Sequence, residues 1–206
     1  MELTPRPALS HVRRRALVLA VAAFIVLVLA GAAAYVYFTA HPALAQKVTL
    51  YVVKYMIPKH LLGEKGWALF AGIFANNAVS TLVTILVGIV PFLFLPLVNP
   101  LLNGSVIGLT AAVARLGGFS LSRFFLAGIA PHGIIELAAV CYAAGLGLSL
   151  AVEMVRKIVT PGSPDSPPFP ALLLGILKSW VLVVVPFLLV AAAIEAFITP
   201  HLLGMS

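Results

Sequence analysis

Apolar residues run nearly unbroken through five stretches of this chain, 16–38, 67–90, 101–118, 131–151 and 171–199, and polar residues collect between them. Runs of about 18 or more apolar residues mark membrane-crossing helices. The pattern therefore predicts an all-α, polytopic membrane protein with five transmembrane helices, six being the alternative count. All 206 residues fall in one membrane domain.

The connections carry the rest of the topology. Residues 1–15 form a basic tail ending in Arg13, Arg14 and Arg15, which the positive-inside rule places in the cytoplasm. Ala43 and Ala45 would suit signal cleavage, but a run of 16–38 far exceeds a signal core of about 7–15 residues, so an uncleaved anchor is expected. Lysines interleave with apolar residues over 39–66, as in an amphipathic helix lying in the interface, or a plain surface loop. Residues 91–100, PFLFLPLVNP, read as a hydrophobic hairpin or re-entrant connection, because prolines at this spacing interrupt a helix. Residues 120–130 are a half-helix or an outer extension of the fourth crossing, with Pro131 opening the main helix. Residues 160–170 are an extended Pro/Ser linker.

Polar positions inside the runs are ordered. Gly72, Asn76, Ser80, Thr84 and Gly88 recur every four residues, with Asn77 and Thr81 one position round, and form one slowly drifting stripe on a helix. Such a stripe is a packing seam or a wall facing solute. Gly104 and Gly108 make a GxxxG, which favours close helix contact within the subunit or in a dimer. Asn103, a second polar position, begins near the leaflet opposite the main polar groups.

Composition agrees with the pattern: 62% of residues are hydrophobic, 9% charged, and mean hydropathy is +1.14. The net charge of +7 is spread over helix ends and loops, which fits headgroup anchors rather than a nucleic-acid surface. Cys141 is the single cysteine, so no internal disulfide or cysteine metal cluster forms.

The anomaly is a carboxylate, Glu136, in an apolar run that also holds His132. A charge at mid-bilayer costs about 2.5–3.5 kcal/mol on insertion scales, against about 0.3–0.6 returned by each Leu, Ile or Val. Glu136 must then be paired, protonated, bound to an ion or turned into a protein-lined cavity. His132 and Glu136 share one helix face, and alternation of crossings brings Glu195, Asn76 and Asn77 into the same leaflet. His132, Glu136 and Glu195 would offer nitrogen and oxygen ligands to a zinc-like divalent metal. A sealed hydrogen-bond network and a proton or solute path are the competing readings. Neither HExxH, GxSxG nor a phosphate-binding GxxxxGK[ST] occurs, so no enzyme is expected and no cofactor is certain.

FANN (74–77), LLNG (101–104), PHGIIEL (131–137) and IEAFITP (194–200) follow in an order that resembles the stage II sporulation protein M family of small polytopic membrane proteins. The resemblance implies a multi-pass protein of the cell membrane without established catalytic activity, the namesake being a membrane-embedded organiser of an engulfment complex. It also implies Asn76, Asn77, Asn103, Gly104, Pro131, His132, Gly133, Glu136, Glu195 and Pro200 as the positions that matter. Three functions are carried forward: a self-associating scaffold, with a dimer favoured and membrane or envelope proteins as further partners; a transporter of a proton, ion or small solute; and a metal-dependent intramembrane activity.

Overall fold

The computed structural model describes residues 6–56, 64–163 and 166–203, and these are mostly helical, with no strand among them. Five helices are long and apolar enough to cross a membrane. Helix α1 is Arg6–Ala40, and the short α2, Pro42–Tyr51, turns back from it and lies against α4. Helix α3 is Gly66–Leu86, α4 is Val98–Leu116, α5 is Leu121–Val159 and α6 is Phe169–Leu202. The amphipathic connection is helical through α2, where Leu50 and Tyr51 are exposed and Ala45 is buried. Residues 57–63 of that connection lie outside the described part.

Helix α5 is the axis of the bundle. Its most apolar stretch is 61% buried, against 17–33% for the other four crossings. Helices α1 and α4 pack on one side of it, α3 and α6 on the other. Ala143, Leu146 and Leu150 of α5 join Ala16 of α1, Ile85 of α3 and Leu188 of α6 in the main core. The outer faces stay apolar, with Leu17, Val21, Phe24 and Val28 exposed along α1, as lipid requires.

Prolines shape the long helices without ending them. Helix α5 starts at Leu121, so Pro131 lies inside it, and residues 120–130 extend the crossing outward. Wide π-type turns span Val52–Met56, Phe124–Ile129, Trp180–Val184 and Ile194–Ile198. Each stops two residues short of a proline in the sequence; Pro131, Pro186 and Pro200 lie inside described helices, and Pro58 lies outside the described residues. Proline lacks an N–H and its ring displaces the carbonyl four residues back, and a widened turn absorbs both.

The hairpin expected over 91–100 is confined to a tight turn at 90–94, in which Phe92 and Phe94 adopt left-handed conformations with φ of 68° and 48°; Val98–Pro100 already belong to α4, so the third crossing starts earlier than residue 101. Both rings are exposed, so their cost of order 1–3 kcal/mol each is borne on the lipid side. Leu95–Leu97 then forms a 3₁₀ turn leading into α4.

Two sets of contacts fix which ends lie together. Trp67 at the start of α3 meets Phe197 near the end of α6, with ring centroids 5.1 Å apart. At the opposite end Arg15 of α1 binds Glu153 of α5 at 2.6 Å, and Arg13 Nε donates to Ser179 of α6 at 3.1 Å.

Candidate functional site

The three ends that sequence alternation placed in one leaflet do converge. Ligand atoms of His132, Glu136 and Glu195 all lie within 4.8 Å of one another, on α5 and α6. Asn77 of α3 interacts with the Glu136 carboxyl, and Asn76 Nδ2 reaches Asn77 Oδ1 at 3.5 Å from the bundle surface. Asn76 is nine residues past Trp67, about 13 Å along the axis. With exposed Trp67 at the interface, the group lies below the headgroups.

Local backbone geometry aims these side chains. The widened turn before Pro131 rotates the start of Ala130–Val159, and Glu195 is itself inside the Ile194–Ile198 turn. Gly133 is buried, and a Cβ there would press on the Ile129 side chain at 2.7 Å. The small residue therefore lets the turn carrying His132 close on itself.

His132 has a defined orientation. Its Nδ1 lies 3.3 Å from the Thr199 hydroxyl, whose own proton is directed to the Ile194 carbonyl at 3.3 Å. That arrangement has Nδ1–H donating to Thr199 and Nε2 bearing the lone pair; in the other ring tautomer Nδ1 accepts and Nε2–H faces Glu195. Nε2 faces Glu195 Oε2 at 4.0 Å, beyond hydrogen-bond length. A proton on either group, or a cation held between them, is the chemistry that would bridge this gap. His132 is 14% exposed at its side chain and Glu195 35%, so the group opens on one flank.

The other sequence-selected positions serve packing. Thr84 is buried and Ser80 half-buried, and both accept hydrogen bonds from Asn99 Nδ2, at 2.7 and 3.1 Å. Asn103 Nδ2 donates to Asn99 Oδ1 at 2.6 Å, which extends this second network along α4, separate from the His132 group. Gly88 lies against the backbone of Gly147 on α5, and Gly104 and Gly108 against the backbone of α1 at Leu27 and Gly31. Gly72 is half-buried in the outer part of α3.

Residues that sequence reasoning passed over are Thr199, Asn99 and Glu153. Thr199 was legible as the fourth residue after Glu195, on its helix face. Asn99 and Asn103 are also four apart, a signal hidden by the surrounding prolines. Glu153, with its side chain 2% exposed between Arg15 and Arg156, reads in sequence as an ordinary charge at a helix end.

A family model for stage II sporulation protein M matches residues 16–200, nine-tenths of the chain. The chain belongs to this family. Searches of curated proteins and of solved structures returned no match. Three of the four segments that carry the family resemblance, FANN, PHGIIEL and IEAFITP, contribute residues to the His132 group. The fourth, LLNG, supplies Asn103 to the α3/α4 network and Gly104 to the α1 contact.

Proposed function

We propose that this stage II sporulation protein M family member is a non-catalytic subunit of a complex in the cell membrane, and that its first partner is a second copy of itself. The observation that carries this is the open polar flank: Asn76 is exposed and the Glu195 side chain is 35% exposed at a depth where the neighbours are lipid. A carboxylate facing hydrocarbon costs about 2.5–3.5 kcal/mol even with snorkelling, and a partner's polar groups remove that cost. With Cys141 replaced by Ser, a cysteine at Asn76 should crosslink to a second copy in native membranes. A cysteine at Leu29, on the lipid face of α1, should not. Absence of the Asn76 crosslink, together with a monomer mass in nanodiscs, removes the proposal.

One observation favours a second reading, in which the same group holds a divalent metal. A ring nitrogen of His132 and a carboxylate oxygen each from Glu136 and Glu195 lie within 4.8 Å of one another, and the Thr199 hydroxyl touches the imidazole where outer partners of metal-bound histidines do. Tetrahedral zinc, with bonds of about 2.0–2.2 Å, needs its ligands closer together than 4.0–4.8 Å, a closure within side-chain reach. Protein purified without chelator should carry metal stoichiometrically, or bind added Zn²⁺ saturably. His132→Ala should abolish this, and Thr199→Val should weaken it by about 10–100-fold. Folded wild-type protein that neither retains metal nor binds Zn²⁺ excludes the reading.

A further inference from the structure

The opposite end of the bundle holds a second feature, unrelated to the His132 group. Helix α1, the Phe92–Phe94 hairpin and the last turns of α5 enclose a groove of about 720 Å³. That is within the roughly 300–1,000 Å³ of small-molecule sites. Leu19, Phe92, Phe94, Leu148 and Val152 form its apolar walls, and Arg156 stands at its end.

Among the described residues, the charges around that end do not cancel. Glu153 is shared by Arg15 at 2.6 Å and Arg156 at 3.6 Å, so one carboxylate faces two guanidinium groups. The Lys157 ammonium donates to the Pro167 carbonyl at 2.7 Å, a neutral partner, and Arg13 to the Ser179 hydroxyl. Arg14 and Lys178 are exposed. Among the described residues, Glu153 is the one carboxylate at this end of the bundle. Among the described residues, Arg156 shares its one carboxylate with Arg15 and is 46% exposed at its side chain, so it presents excess positive charge over an apolar trough.

We propose that this groove binds a phospholipid with an anionic headgroup, its phosphate on the Arg156 guanidinium and one acyl chain along the wall between α1 and α5. A guanidinium matches phosphate geometry with two parallel hydrogen bonds. The apolar lining selects against a soluble anion, and the net charge selects against a zwitterionic headgroup. The strained hairpin gains a role here, because Phe92 and Phe94 form the wall that separates the chain from bulk lipid.

The test uses the full-length protein in detergent, titrated with phosphatidylglycerol and phosphatidylcholine of identical chains and read by native mass spectrometry. Wild type should retain phosphatidylglycerol preferentially. Arg156→Ala should reduce that preference about fivefold, the factor expected for one basic residue at a charged surface. Arg15 remains on Glu153 in this variant, so an unchanged melting curve is expected to accompany the loss. Val152→Trp, which fills the groove, should lower retention of both lipids. Equal retention of the two lipids by wild type, or an unchanged preference in Arg156→Ala, overturns the proposal. Inorganic phosphate displacing the lipid completely would also overturn it, by assigning the site to a free anion.

Discussion

Replacing Glu153 with Ala is expected to cost about 3–5 kcal/mol of stability, the largest loss of any single charge in this protein. Glu153 is almost wholly buried, with its side chain 2% exposed, and it joins the start of α1 to the end of α5 through Arg15 at 2.6 Å. Ser166, within the proline-rich linker, adds a hydroxyl donor at 3.4 Å. Removing the carboxylate leaves the Arg15 guanidinium, on a side chain only 25% exposed, without its nearest counter-charge. Arg15→Ala should cost a similar amount, because Arg156 at 3.6 Å is a poorer partner and is half in solvent. The pair Arg15→Met with Glu153→Leu should regain most of the loss, since apolar replacement of both members removes desolvation along with attraction. Unfolding in mixed micelles of graded SDS content reads all three variants. Additive losses in the double variant would show that the pair is not the unit of stability.

Much of the fold was legible because lipid imposes a simple rule on backbone and side chains. Five apolar runs predicted five crossings, and the spacing of His132, Glu136 and Glu195 along alternating helices anticipated their meeting. Prolines were harder to read. Pro131 suits the first turn of a helix as well as the interior of one whose preceding turn is widened, and sequence alone does not choose between these. The structure takes the second course at Pro131, Pro186 and Pro200, which is why the crossing begins at Leu121 and Phe124–Ile129 is wide.

The orientation of polar side chains was less legible than their depth. The stripe on α3 reads as a single face, yet its residues divide between two uses. Asn77 turns to Glu136, while Ser80 and Thr84 turn to Asn99 of α4. A stripe drifting round a helix by a few degrees per turn meets different neighbours at its two ends. Trp180 shows the same division, because its indole Nε1 donates to Thr81 at 3.1 Å from α6. Pairing of this kind depends on which helix stands beside which, and periodicity carries no such term.

The same reasoning resolves the GxxxG of α4 and leads to the second large effect, at Gly104. The motif permits contact within one chain or between two, and in the structure it is filled from within, by α1. A Cβ on Gly104 would fall on the carbonyl oxygen of Leu27, a backbone atom that cannot swing aside. Gly104→Ala should therefore lose roughly 1–3 kcal/mol, and Gly104→Leu should lose more, by prising α1 from α4. Gly128→Ala, in the wide turn of α5 where a Cβ meets nothing within 4 Å, should be neutral or gain up to about 1 kcal/mol. Opposite signs for one chemical change locate the contact better than either variant alone. Unfolding midpoints in detergent give the comparison, and mass in nanodiscs gives the oligomeric state. Were the motif an interface between copies, Gly104→Ala would change the mass and leave the monomer's midpoint intact. The opposite is expected: a lower midpoint at unchanged mass, since the α1 carbonyl that Gly104 accommodates belongs to its own chain.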